Sequence, residues 1–253
     1  MVSVTTPRFV FIGGLHRSGT TLLGRALAAH PLVSGFEGTD VPADEGQHLQ
    51  SVYPAAKEYG GPGLFAFAEE AHLTEESPLV SPESRERLLA EWSPHWSLEK
   101  AVLVEKSPPN LIRMRFLQAV FPEASFLVVV RNPIAVAFAT KKWRRRESLR
   151  ALLRHWVVAH ELYRADREQV DRVHEVRFED FVRDPNAELA RAYGFLGLGP
   201  VETELDVRPD ANDAYLRRWA DEGRTISGRI AHARIRRELG ERVKALGYDL
   251  DVE

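Results

Sequence analysis

The sequence predicts an α/β fold in three layers, with one central parallel sheet and helices on both faces. Three observations predict it. A strand, a glycine loop and a helix follow one another over residues 8–30, the same order returns twice further on, and the later strands are apolar throughout, as in "FLVVV" at 126–130. A strand covered on both faces loses the polar alternation of a half-exposed one. Repeated strand–helix units connect by right-handed crossovers into a parallel sheet.

"RFVFI" (8–12) reads as a buried strand stopped by Gly13 and Gly14, and "TTLLGRALAAH" (20–30) as a helix that ends before Pro31. The second strand ends at Glu105 and Lys106; Ser107 reads as an N-cap, the following prolines suit a first turn, and an amphipathic helix runs on to Phe121. In the third unit "SFLVVV" is followed by Asn132 as N-cap and Pro133 at the first helical position. A long helix over 149–168, a strand "HEVRFE", a helix over 184–198 and a last helix over 228–248 complete a single domain, 1–253. Residues 34–63 and 207–228, polar and broken by Gly and Pro, read as substrate or cofactor loops. Ligands of such sheets bind at the carboxyl ends of the strands, where Arg17, Lys106 and Arg131 fall together.

Composition narrows the function. The 253 residues carry 34 Lys and Arg against 37 Asp and Glu, a net charge of −3, which speaks against a general nucleic-acid binder. With no cysteine, thiolate nucleophiles and thiolate metal sites are excluded, and the nine histidines show no metal spacing. No apolar run approaches the roughly 20 residues that span a bilayer, so a soluble cytoplasmic protein without membrane contact is expected. The oligomeric state is not legible.

"GGLHRSGTTLLGRAL" (13–27) fits the spacing of a phosphate-binding loop, except that Thr20 stands where the lysine belongs. Amides at the start of a helix hold an anion without any side chain. ATP and GTP enzymes add the lysine and a strand-end aspartate for magnesium, and here the later strands end in "VEKS" and "VVRNP". The expected ligand is an anion that needs neither, and no metal.

At these residues the chain resembles the sulfotransferases that use 3′-phosphoadenosine-5′-phosphosulfate (PAPS), especially bacterial ones and the tyrosylprotein branch, whose fold is P-loop-NTPase-like. The resemblance implies that Arg17, Ser18, Gly19, Thr20 and Thr21, with His16 just before them, surround the 5′-phosphosulfate. It places Arg131 of "VVVRNPIAVAFA" on the 3′-phosphate, Phe178 of "VRFEDFVRDP" by the adenine, and Lys106 on the leaving group. Ala139 stands where the family has a serine as second 3′-phosphate ligand, which leaves that contact to Thr140 or a C-terminal arginine such as Arg229. Gly38 stands where the tyrosylprotein branch has its basic glutamate. The base is therefore sought nearby, with Glu45 and His48 ranked above Glu37 and Asp44.

The implied reaction is metal-free, in-line transfer of a sulfuryl group to a hydroxyl of a small-molecule acceptor, which contacts the 34–63 loop and the helix carrying Arg154, His155 and Trp156. The alternatives are a P-loop kinase with a degenerate loop and a non-catalytic nucleotide-binding protein. "KKWRRR" (141–146) reads as a solvated helix face, Trp156 and Tyr163 as core or cleft wall.

Overall fold

The computed structural model describes residues 7–251. Five strands, β1 (Arg8–Gly14), β2 (Val33–Ser34), β3 (Val102–Lys106), β4 (Ser125–Val130) and β5 (Val173–Arg177), form one all-parallel sheet in the order β2-β3-β1-β4-β5. The alternation of side chains along a strand divides the core in two. Phe9 and Phe11 of β1 point into one layer with Trp92, Trp96 and Phe121, while Val10 and Ile12 point into the other with Leu23, Leu27 and Tyr193. β4 divides in the same way, Phe126, Val128 and Val130 against Leu127 and Val129. Both faces are therefore sealed, which is why the sequence shows unbroken apolar runs.

Helices α1 (Thr20–Ala28), α6 (Phe178–Arg183) and α7 (Pro185–Phe195) cover the Val10 face. The Phe9 face takes α2 (Pro82–Trp92), α3 (Met114–Val120), α4 (Pro133–Lys141), α5 (Leu149–Arg167), α8 (Asp213–Arg224) and α9 (Ile226–Ala245). Asn132 caps α4 as expected, its Oδ1 accepting from the amides of Ile134 and Ala135, with Pro133 next.

The structure departs from the sequence reading at four places. Ser107 does not cap a helix: residues Pro108–Ile112 form a buried 3-10 turn, and α3 begins only at Met114. That turn lies directly on β1, where a Cβ at Gly13 would stand 2.6 Å from the Leu111 amide nitrogen. The 207–228 stretch is not all loop, because α8 buries Trp219, whose Nε1 donates to the Leu250 carbonyl at 3.1 Å. Its outer face carries the Arg218–Glu222 ion pair that makes the composition look loop-like. The loop at 34–63 opens with β2 and continues as short 3-10 turns, which carry two of the candidate bases. "KKWRRR" is a turn, not a helix face, beyond its first lysine.

Candidate active site

The loop between β1 and α1 is shaped by the backbone. Gly19 caps α1 at φ 110° with no side-chain cap, so the first-turn amides stay open, and no acidic residue stands in that turn. A Cβ at Gly19 would lie 2.6 Å from Phe178 Cδ2, so both the dihedral and the space call for glycine. Arg17 also takes a left-handed backbone (φ 72°), and its carbonyl is fixed by Arg131 Nη1 at 2.8 Å. The Ser18 hydroxyl and His16 Nδ1 are buried without partners. A buried polar atom without a partner is destabilising unless a ligand meets it, so these atoms and the uncapped amides together suit an anion. Burial holds the His16 imidazole down to about 3, neutral at physiological pH.

Lys106, opposite Ile12 in the sheet register, lays its stem over Gly24 of α1, its Cγ 3.7 Å from where a Cβ would be. Nζ donates to the Ala43 carbonyl at 2.6 Å and stands 3.5 Å from Glu45 Oε1. Burial lowers the ammonium from its ordinary value while the Glu45 charge opposes that, and burial raises the Glu45 carboxyl against the pull of Lys106 and Gln47. His48 Nε2 lies 3.8 Å from Glu45 Oε2, and burial lowers its imidazole. Ala43 and Asp44 both adopt left-handed φ, 55° and 51°, a strained pair held by Lys106 on one side and by Thr39 donating to Asp44 Oδ1 on the other. The Thr39 hydroxyl keeps the Asp44 carboxyl below the usual range, so Asp44 is a weak proton acceptor.

A cavity of about 290 Å³ opens beside this cluster, with Thr21, Arg25, Phe36, Glu37, Asp44 and Lys106 in its wall. The phosphate-type loop and the lysine thus share one space. The acceptor contact expected at Arg154, His155 and Trp156 does not face it. His155 and Trp156 are buried, bonded to the Ala66 amide and the Arg131 carbonyl, and Arg154 lies over Phe67.

Arg131 is 8 % exposed and held from three directions: Nε by Asn212 Oδ1 at 2.8 Å, Nη1 by Arg17 and Nη2 by the Ala211 carbonyl. Desolvation brings its guanidinium down to about 10, still cationic at neutral pH. Phe178 lies under this cation, Cζ 4.0 Å from the ring centroid, with Gly19 against its edge; at 5 % exposure it supports Arg131 and is not open to a base. Thr140 is buried, its methyl toward Gly63, and Arg229 lines a separate groove with Arg224, His232 and Arg236, bonded by its side chain neither to the loop nor to Arg131 among the described residues. Sequence reading missed Asn212, Glu179 and Tyr248. Glu179 accepts from the Asn132 amide, Asn212 and Tyr248, and so orients Asn212 toward Arg131.

The sequence profile described as the sulfotransferase family matches residues 7–202. The chain belongs to the sulfotransferase family. A stretch of 121 residues is 36 % identical to the omega-hydroxy-beta-dihydromenaquinone-9 sulfotransferase Stf3 of Mycobacterium bovis, covering 42 % of this chain and 31 % of that relative, with the same figures for the Mycobacterium tuberculosis protein. The matched stretch spans about a third of those relatives' length. The fold of this family member is also that of the sulfotransferase domain of the Synechococcus PCC 7002 olefin synthase (TM-score 0.55, 20 % identity, 98 % of both chains). The sulfotransferase domain of the curacin biosynthetic pathway gives TM-score 0.54 at 19 % identity over 97 % of this chain and 99 % of that one. Its sheet and loop are accordingly P-loop-like. Among the described residues no group of three or more His, Cys, Asp or Glu could hold a metal, and no helix is long and apolar enough to cross a membrane.

Proposed function

We propose that this chain transfers the sulfuryl group of PAPS to the hydroxyl of a small apolar acceptor in the cytoplasm. One observation carries the reading: Lys106, 3.5 Å from a buried carboxylate, forms one wall of the cavity that Thr21 of the anion loop also lines. PAPS, when bound, supplies an activated sulfuryl group on a phosphate. The open amides of α1, the hydroxyls of Ser18, Thr20 and Thr21, and the Arg17 side chain hold its 5′ end, and the remaining N–H groups of Arg131 serve the 3′-phosphate. Lys106 sets a positive charge where the leaving oxygen becomes negative. Glu45, raised by burial, takes the acceptor proton, with His48 behind it. The apolar part of the wall, Phe36, Val104 and small residues of α1, and a relative named for an ω-hydroxylated menaquinone both favour an apolar alcohol as acceptor.

Calorimetric titration with 3′-phosphoadenosine-5′-phosphate (PAP) beside ATP and magnesium tests the cofactor. Binding of PAP with little response to ATP is expected; the reverse would replace this reading with a kinase.

A further inference from the structure

A carboxylate with no part in this chemistry is buried one residue before the lysine. Glu105 is 0 % exposed. Consecutive side chains of a strand point to opposite faces, so Glu105 and Lys106 leave the end of β3 on opposite sides. The turn at 45–47 reaches both. Gly46 lies so close to Glu105 that a Cβ there would stand 2.4 Å from its Cγ, while Glu45 faces Lys106.

Hydrogen bonds tie the two sides together. Glu105 Oε1 accepts from the Ser107 hydroxyl at 2.5 Å, and Oε2 from Asn110 Nδ2 at 2.5 Å. The Ser107 oxygen in turn accepts the Gln47 amide N–H at 2.9 Å. Gln47 Nε2 donates to Glu45 Oε2 at 2.5 Å, and Gln47 Oε1 accepts from the Ala56 amide at 2.8 Å. A buried carboxylate is unfavourable unless its bonds are made, and here every bond it makes runs to Ser107 and Asn110, the first of which holds the turn.

We propose that Glu105 is a positioning residue: through Ser107 it locks the Glu45–Gln47 turn and thereby fixes Glu45 beside Lys106. The inference rests on the proposed function for its catalytic consequence, and on geometry alone for the lock. Glu105, 0 % exposed, has no surface to offer a ligand; its Oε1, as acceptor, holds the Ser107 hydroxyl with its lone pair toward Gln47.

The test compares wild type with Ser107→Ala, Glu105→Gln, Glu45→Gln and the Ser107→Ala/Glu45→Gln double variant, using PAPS and 1-octanol, an apolar alcohol that keeps its proton at neutral pH. Ser107→Ala should lower kcat at least tenfold while KM for PAPS and the Kd for PAP stay within twofold. Glu105→Gln keeps an acceptor for Ser107, and the unpartnered Asn110 Oδ1 can receive its new amide, so at least a third of kcat should remain. In the Glu45→Gln background, Ser107→Ala should add no more than a twofold loss, because both changes act through one carboxylate. Hydrogen exchange at residues 44–48 should speed up at least tenfold in Ser107→Ala. Unchanged kcat, losses that multiply in the double variant, or unchanged exchange at 44–48 would each overturn the proposal. Absence of transfer by the wild type would overturn the proposed function alone, and exchange at 44–48 would still decide the lock.

Discussion

Lys106→Met separates charge from packing. The substitution keeps the stem over Gly24 and removes only the ammonium. Glu45, 7 % exposed, would lose its ion pair and the Ala43 carbonyl its donor, both at once. Breaking a fully buried pair costs about 3–5 kcal/mol. At 3.5 Å, with Gln47 still bonded to Glu45, about 2–3 kcal/mol is the fitting share, to which the lost carbonyl bond adds about 1. The variant should therefore be about 3–4 kcal/mol less stable than wild type at pH 7.5. The loss depends on pH, because an unpaired buried carboxyl avoids ionising and its folded pKa lies above the unfolded value of about 4.3. Below that value Glu45 is neutral in both states and the charge term vanishes. Above it the folded state binds more protons, so the stability of the variant falls as pH rises. Urea melts at pH 3.5 and 7.5 should give a difference from wild type of about 1 kcal/mol at the lower pH, where only the carbonyl bond is missing. Adding Glu45→Gln should restore most of the loss at pH 7.5. An equal loss at both pH values, or no recovery in the double variant, would refute the pairing of Lys106 with Glu45.

Three other perturbations have outcomes fixed by the geometry. Arg131→Ala should weaken PAP binding by about 1.5–3 kcal/mol, roughly ten- to a hundredfold by calorimetry, and weaken its 3′-dephospho analogue far less. Gly19→Ala forces a Cβ to within 2.6 Å of Phe178 at φ 110° and should lower stability by about 1–3 kcal/mol in thermal melts, together with PAP affinity. Gly24→Leu fills the cavity beside Lys106, so it should raise KM for p-nitrophenol at least fivefold in steady-state assays and leave the Kd for PAP within twofold.

The sheet was legible because β1, β3 and β4 are sealed on both faces and show it in unbroken apolar runs. The two residues of β2 gave no such run, and α8 hid behind a charged outer face with only Trp219 fully buried. Lys106 and Arg131 could be placed because strand ends converge in a parallel sheet. The surroundings of Arg131 could not: Asn212 lies 81 residues on, and Phe178 owes its place under the cation to Gly19, two contacts that no local pattern records. Among the candidate bases, the sequence ranked Glu45 and His48 above Glu37 and Asp44 without separating the members of either pair. The fold gives Asp44 to Thr39 and Glu45 to Lys106, while Glu37 and Asp44 both line the cavity wall.

The two buried cations of the site, Lys106 and Arg131, are neutralised differently, and the difference suits the role that the proposed function gives each. Lys106 pairs with a carboxylate directly, so in the proposed reaction a proton arriving on Glu45 would release the ammonium toward the negative charge forming beside it. Arg131 meets its acid, Glu179, only through Asn212, and its other two bonds go to neutral carbonyls. Its charge therefore stays unneutralised at short range while its direction is fixed, a property suited to holding a phosphate through the whole cycle. The family profile ends at residue 202, yet Ala211, Asn212 and Tyr248 all lie beyond it. The cation comes from the part of the chain the family shares, and two of the three hydrogen bonds that orient it come from residues beyond that part.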